Sequence, residues 1–290
     1  MATSQLLRDL IGSRALIVSS HSDNKVLSLQ DGIWKNTYVE DARGLAVNDQ
    51  LVAVASKDSI IFYDKLTGLK NAELNVLSQG SHEIEFGGNN EIILCASPLS
   101  SLVNYSLGSS STIWNMPGVD LDTIDSRSWI NGVCTVNDIP QYVTVLGISN
   151  IANGWRDEAL ASRGALINVQ TNEIVLHNLL FPHTPTIDGN DIWFLNSGLN
   201  QVCKWTVGDG DFTIVATLHG WTRGMIILDN HILVGVSQGR MSAFPNVISD
   251  PLAEPGIAVL DKLTGEQLEF EFLDVQEIFD LALTDKVIIG

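Results

Sequence analysis

Six residues of this 290-residue chain join chemically useful side chains to a recurring place in the sequence: Arg43, His82, Asn131, His183, Arg223 and Asp280. Two imidazoles titrate near neutral pH and suit general acid and base work. Two guanidinium groups offer planar forks matched to a carboxylate or phosphate. Asp280 can orient a His or an Arg, and Asn131 can bond a ligand or backbone. His183 stands in Pro182-His183-Thr184-Pro185, where two prolines stiffen the chain and pre-organise the side chain. Around these lie Trp129, Trp221, Trp155 and Arg156, with Asp157, Arg240, Met241 and Phe244 in the same class of position. Aromatic walls around a few charges describe a small-molecule pocket and equally describe loop packing.

The mixture predicts an anionic small-molecule ligand, carboxylate or keto-acid-like, with aromatic character left open. The expected catalysts are His183 and His82, with Asp280 as their orienting acid; Arg43 and Arg223 hold the ligand's negative charge. Cyclisation, elimination or decarboxylation fits, because none requires a protein nucleophile or a redox cofactor. No Ser-His-Asp or Cys-His spacing is present, and serines that close several apolar runs read as turn chemistry.

Such a set needs a scaffold that delivers one residue at a time to one place, and internal repetition supplies it. One apolar run recurs six times: Ala15 to Ser20, Leu51 to Ser56, Ile92 to Ser97, Tyr142 to Gly147, Ile192 to Ser197 and Ile232 to Ser237. The spacing of roughly 40 to 50 residues is the length of a propeller blade. A third strand follows each copy, and two of these enter the same turn, Asp64 to Gly68 and Asp261 to Gly265, both Asp-Lys-Leu-Thr-Gly. Outer strands follow, and each of the six chemical residues opens the innermost strand of a blade. The fold is therefore predicted as all-β, a single six-bladed propeller over residues 1–290, with a short N-terminal helix within 1–12. The last strand, near Phe279 to Leu283, pairs with the N-terminal blade and closes the ring. Long insertions at 148–164 and 238–255 overhang the channel mouth, and residues 286–290 have no place in this plan.

Composition narrows the partners. Hydrophobic residues make up 45% of the chain and charged residues 17%, as expected of a folded domain with a large core. A net charge of −18 repels phosphate backbones and anionic bilayers, so neither nucleic acid nor membrane is expected. Cys95, Cys134 and Cys203 lie inside apolar runs and read as buried reduced thiols. Without a signal-like apolar region the chain is expected to be cytoplasmic. Two alternatives stay open. One is a non-catalytic ligand-binding or scaffold propeller. The other is a metal-dependent, lactonase-like hydrolase, although Ca²⁺ takes six to eight oxygens and only Asn131, Asp280 and Glu83 or Glu277 could supply them. His82, His183 and Asp280 form the alternative transition-metal set. The expectation is no metal and no cofactor. A structural ring is the plain alternative to a ligand site, with Asp280 paired to an Arg and Asn131 bonded to backbone.

In order along the chain, Asn131-Gly132-Val133, Gly154-Trp155-Arg156, Phe181 to Pro185, Leu195 to Gly198, Thr222-Arg223-Gly224, Val234 to Ser237 and Glu277 to Asp280 resemble a family of bacterial β-propellers known only as a domain of unknown function. The resemblance spans roughly Arg127 to Leu283 and implies the same six-bladed fold. A distant relation to a cyclase of the scytonemin indole-alkaloid pathway is a further expectation it carries. Two positions depart from the family pattern: Trp129 stands where His is frequent and Thr184 where Ser is frequent.

Overall fold

The computed structural model describes residues 3–76, 81–106, 108–118, 128–149, 163–238 and 252–285. Twenty-four strands form six antiparallel four-stranded sheets. The first blade holds β1 (Ala15–Ser20), β2 (Lys25–Gln30) and β3 (Ile33–Tyr38). Next come β4 (Leu45–Val47), β5 (Leu51–Ala55), β6 (Ser59–Asp64) and β7 (Lys70–Asn75). The third blade is β8 (Ile84–Phe86), β9 (Ile92–Ala96), β10 (Ser101–Ser106) and β11 (Ser109–Asn115). The fourth is β12 (Ile130–Val136), β13 (Ile139–Val145), β14 (Gly164–Asn168) and β15 (Ile174–Leu179). The fifth is β16 (Pro182–Asp188), β17 (Asp191–Asn196), β18 (Gln201–Thr206) and β19 (Thr213–Thr217). The sixth is β20 (Trp221–Ile227), β21 (His231–Ser237), β22 (Gly256–Asp261) and β23 (Gln267–Phe272). The last strand, β24 (Asp280–Thr284), pairs with β1 from Ala15↔Thr284 to Ser19↔Asp280, which closes the ring as expected.

The core lies between blades. Leu16 and Val18 of β1 pack with Leu233, Ile257 and Val259 of blade six, whereas Ile17 packs with Val52 and Val54 of blade two. Alternate side chains leave opposite faces of a strand, so a blade clamped between two neighbours needs apolar residues on both. That is why β1 is buried at every position and reads as an uninterrupted apolar run, while β3 is mostly exposed. Ser4 caps α1 (Gln5–Ile11) by accepting from the Leu7 amide, and Leu7 and Ile11 add to the cluster between blades one and six.

The two identical turns are built identically. Asp64 Oδ1 accepts from the Leu66 and Thr67 amides and the Thr67 hydroxyl, and Asp261 Oδ1 does the same for Leu263 and Thr264. The strand-closing serines correct the turn expectation, because most of them fasten one blade to the next. Ser19 donates to the Arg43 carbonyl, Ser97 to Ile130, Ser197 to Thr222 at 2.7 Å and Ser237 to Ile278 at 3.2 Å. Ser56 instead donates to the Glu40 carbonyl just ahead of its own blade. All three cysteines are buried and unbridged, and burial pushes the Cys203 thiol up to about 12. No helix among the described residues is long and apolar enough to cross a membrane.

Candidate functional site

Three of the inner strands deliver their chemical residue, Asn131, His183 or Arg223, through irregular backbone at the upstream end. Pairing slips between Ile130 and Gly132 in β12, between His183 and Thr186 in β16, and between Arg223 and Met225 in β20. Bulges of this kind re-aim a side chain relative to the regular pleat. A glycine follows three of the six residues for steric reasons. A Cβ at Gly224 would lie 2.6 Å from the Leu281 amide nitrogen, and one at Gly132 would lie 2.5 Å from Pro185 Cδ. Thr184 holds the matching place in β16 with φ 49°, a left-handed conformation rare for a β-branched residue.

The mouth holds a chain of alternating charges drawn from blades one, two, five and six. Arg43 grips Asp41 with Nη2 to Oδ2 at 2.8 Å and Nε to Oδ1 at 3.1 Å. Asp41 Oδ1 is 2.6 Å from His21 Nε2, and His21 Nδ1 is 3.7 Å from Glu277 Oε2. Glu277 Oε1 accepts from Arg223 Nη1 at 2.7 Å. Arg223 Nε then donates to His183 Nε2 at 3.2 Å. The hydrogen bond to Asp41 raises the His21 pKa, and the nearby Glu277 carboxylate adds to it. Burial pulls Asp41 upward, yet His21 and Arg43 outweigh it and leave the carboxyl below its usual value. Phe279 sits at the hub, with the Arg223 guanidinium 4.7 Å from its ring centre and the His82 ring at 5.2 Å.

The donors fix both histidine tautomers. An Arg Nε–H only donates, so His183 Nε2 is an acceptor and Nδ1 carries the hydrogen, directed at the Phe181 carbonyl at 2.8 Å. Trp129 Nε1 donates to His82 Nε2 at 2.8 Å, so that nitrogen too is unprotonated. Both rings, 3% and 7% exposed, are held neutral in this arrangement. In this arrangement the Nε2 lone pair that each ring would use as a base is engaged, by Arg223 in His183 and by Trp129 in His82.

Three carboxyls lie near one another in the buried interior: Glu83, Glu85 and Asp280. Asp280 accepts from the Leu45 and Leu281 amides, both at 2.8 Å, and not from a His or an Arg as expected. Burial pushes it up to about 7 against those two bonds. Burial and then the Asp280 charge push Glu85 up to about 8. The same two causes, in that order, raise Glu83 well above its ordinary value, although Thr184 donates to its Oε1 from both N and Oγ1.

Of the ten expected site residues, the structure assembles Arg43, His82, Asn131, His183, Arg223, Asp280, Trp129 and Trp221 at one end of the channel. Asn131 is fully buried, and its Nδ2 donates to the Pro182 carbonyl at 2.8 Å. That bond fastens blade four to blade five at the junction where the repeated strand ends in Gly147 and has no serine. Trp221 is equally withdrawn, packed on Phe181 and on His183. Trp155, Arg156, Asp157, Arg240, Met241 and Phe244 lie outside the described residues, as do 286–290. Among the described residues, no three His, Cys, Asp or Glu side chains are placed to hold a metal ion. The lone pairs of His82, His183 and Asp280 are engaged with Trp129, Arg223 and backbone amides. His21, Asp41 and Phe279 escaped the sequence reading. Their signal was adjacency: Asp41 lies two residues before Arg43, Phe279 one before Asp280, and His21 one after the first repeated run.

Six four-stranded blades closed by a shared terminal sheet, with a polar ring at one end of the channel, define a six-bladed β-propeller. The chain belongs to the family described as "Domain of unknown function (DUF4915)", whose model matches residues 12–289. Among solved structures it is similar to a chain of the nidogen/laminin complex, with TM-score 0.67, 10% identity, and coverage of 94% of this chain and 98% of that one. It is likewise similar to a protein of unknown function from Bacteroides caccae, with TM-score 0.64, 10% identity, and coverage of 94% and 99%. At such identity the likeness is one of fold. No curated protein matches the sequence.

Proposed function

We propose that this propeller is a small-molecule enzyme that performs acid/base chemistry on an anionic substrate at the channel mouth, of the cyclase or lyase type. The observation that carries the proposal is His21, 29% exposed, held between Asp41 and Glu277. A raised pKa keeps this imidazole protonated nearer to neutrality, where it can give a proton to a substrate and recover it. With His21 charged, three cations (Arg43, Arg223, His21) face two anions (Asp41, Glu277), and the net positive charge favours a carboxylate. Half-buried Trp129 offers ring surface nearby. The leading acid/base group thus moves from His183 and His82 to His21, and the arginines act through a balanced network.

The test is binding and α-proton exchange with phenylpyruvate as probe. Wild-type protein in D₂O should accelerate deuterium entry at the carbon next to the keto group, and His21→Gln should abolish the acceleration. Exchange at the buffer rate, together with no heat of binding for phenylpyruvate, indoleacetate or benzoate, would sink the proposal and leave the ring as a frame.

A further inference from the structure

Glu83 follows His82 on blade three, yet its partner is two blades away. Its Oε1 takes the Thr184 amide at 3.0 Å and the Thr184 hydroxyl at 2.8 Å, both on blade five. It passes blade four at Gly132, where a Cβ would stand 2.7 Å from Glu83 Oε2. The Thr184 hydroxyl also receives the Gly224 amide of blade six at 3.3 Å. One carboxyl therefore ties three blades, and the residues just before its two contact points are His183 and Arg223. Those are the pair joined at 3.2 Å at the end of the charged chain.

The arrangement is costly if its only purpose is stability. Thr184 is β-branched with φ 49°, and such strain costs on the order of 1–3 kcal/mol where it occurs. The carboxyl holding it is buried; the charged and titratable groups facing it among the described residues are Asp280 from β24, Glu85 from β8, Cys95 from β9 and Cys134 from β12, with no cation among them. Strain of this kind persists where the surroundings over-determine it and concentrates at working sites.

We infer that Glu83 and Thr184 are positioning residues, a cross-channel clasp that sets the His183–Arg223 pair and through it the Glu277–His21 end of the mouth. The inference rests on the reading of the mouth as a working site. Its structural content is nonetheless separate, because the clasp acts on the His183 tautomer whether or not a substrate is known. With the clasp closed, Arg223 Nε–H faces His183 Nε2 and the ring stays in its Nδ1–H form. Without it, the bulge carrying His183 relaxes and the ring is released to titrate.

The experiment is ¹H–¹⁵N long-range NMR of the histidine rings in the full ¹⁵N-labelled chain, with His183 assigned by His183→Gln. Wild type, Glu83→Gln and Thr184→Ser, which keep the acceptor or the hydroxyl, should show one fixed Nδ1–H ring between pH 5.5 and 8. Glu83→Ala and Thr184→Val should show exchanging tautomers or a midpoint near the ordinary value of about 6.5. If Glu83→Ala does not fold, Thr184→Val decides alone. A wild-type His183 pattern in folded Thr184→Val overturns the clasp, whatever the exchange assay shows. A released ring combined with no exchange and no heat of ligand binding in wild type upholds the clasp and removes the enzyme reading.

Discussion

Replacing Glu85 with Gln should make the protein more stable at neutral and basic pH, by an amount that grows with pH. Glu85 sits in the channel near Asp280, and its carboxyl is pushed from 4.5 up to about 8. For an acid the upward shift means that between these values the folded chain keeps a proton that the unfolded chain has released. Stability is then greatest on the acid side of the window and falls as pH rises through it. Each pKa unit is worth about 1.4 kcal/mol, so linkage puts the loss at pH 7 at about 3 kcal/mol. Glu85 keeps some solvent contact, which trims the expected effect to about 2 kcal/mol. Gln matches the shape and removes the titration. Urea unfolding followed by tryptophan fluorescence at pH 5, 6, 7 and 8 should show the variant close to wild type at pH 5. By pH 7 it should be ahead by about 2 kcal/mol. A gap that stays constant with pH, or a variant that falls below wild type at pH 8, would refute the assignment of a carboxyl that burial keeps protonated.

Three further outcomes follow from the same geometry. Ser237→Ala, which removes a hydroxyl that donates to the Ile278 carbonyl and accepts its amide at 2.8 Å, should cost about 2 kcal/mol in urea unfolding. Gly132→Ala places a Cβ against Pro185 and the Glu83 carboxyl, so it should cost about 3 kcal/mol or prevent soluble expression; thermal melts decide. His21→Gln removes a group whose raised pKa makes its ion pairs fully present below about 6.5 and lost as pH rises through the folded value. The variant should lose stability at pH 6 and less at pH 8, measured in parallel melts.

The frame could be read in the sequence because a blade clamped on both sides writes itself as an apolar run, and six such runs kept their spacing. The duplicated Asp-Lys-Leu-Thr-Gly turn was a second, independent mark, and its two copies share the bonds of their Asp and Thr side chains. The mouth was legible as a set of positions but not as a set of partnerships. His82-Glu83-Ile84-Glu85-Phe86 alternates like any strand with one wet face, and nothing in that pattern says that the wet face is a narrow channel where carboxyls hold their protons. Asp41 and Glu277 lie in connecting segments, where no periodicity points at the arginines they neutralise. Asn131 was read as a site residue from its place at the opening of an inner strand; only the packed ring shows its amide also fastening blade four to blade five, where the repeated run ends in Gly147 and has no serine.

Closure by β24 also sets an order of assembly. As the chain leaves the ribosome, β1 emerges near the beginning and its partner near the end, so the first blade waits with a bare edge while five others are made. An unpaired edge that is apolar on both faces is a template for other strands. Protein cut short before Asp280 would therefore fail by joining to its neighbours and not by simple loss of activity, and the last few strand residues guard the solubility of everything synthesised before them.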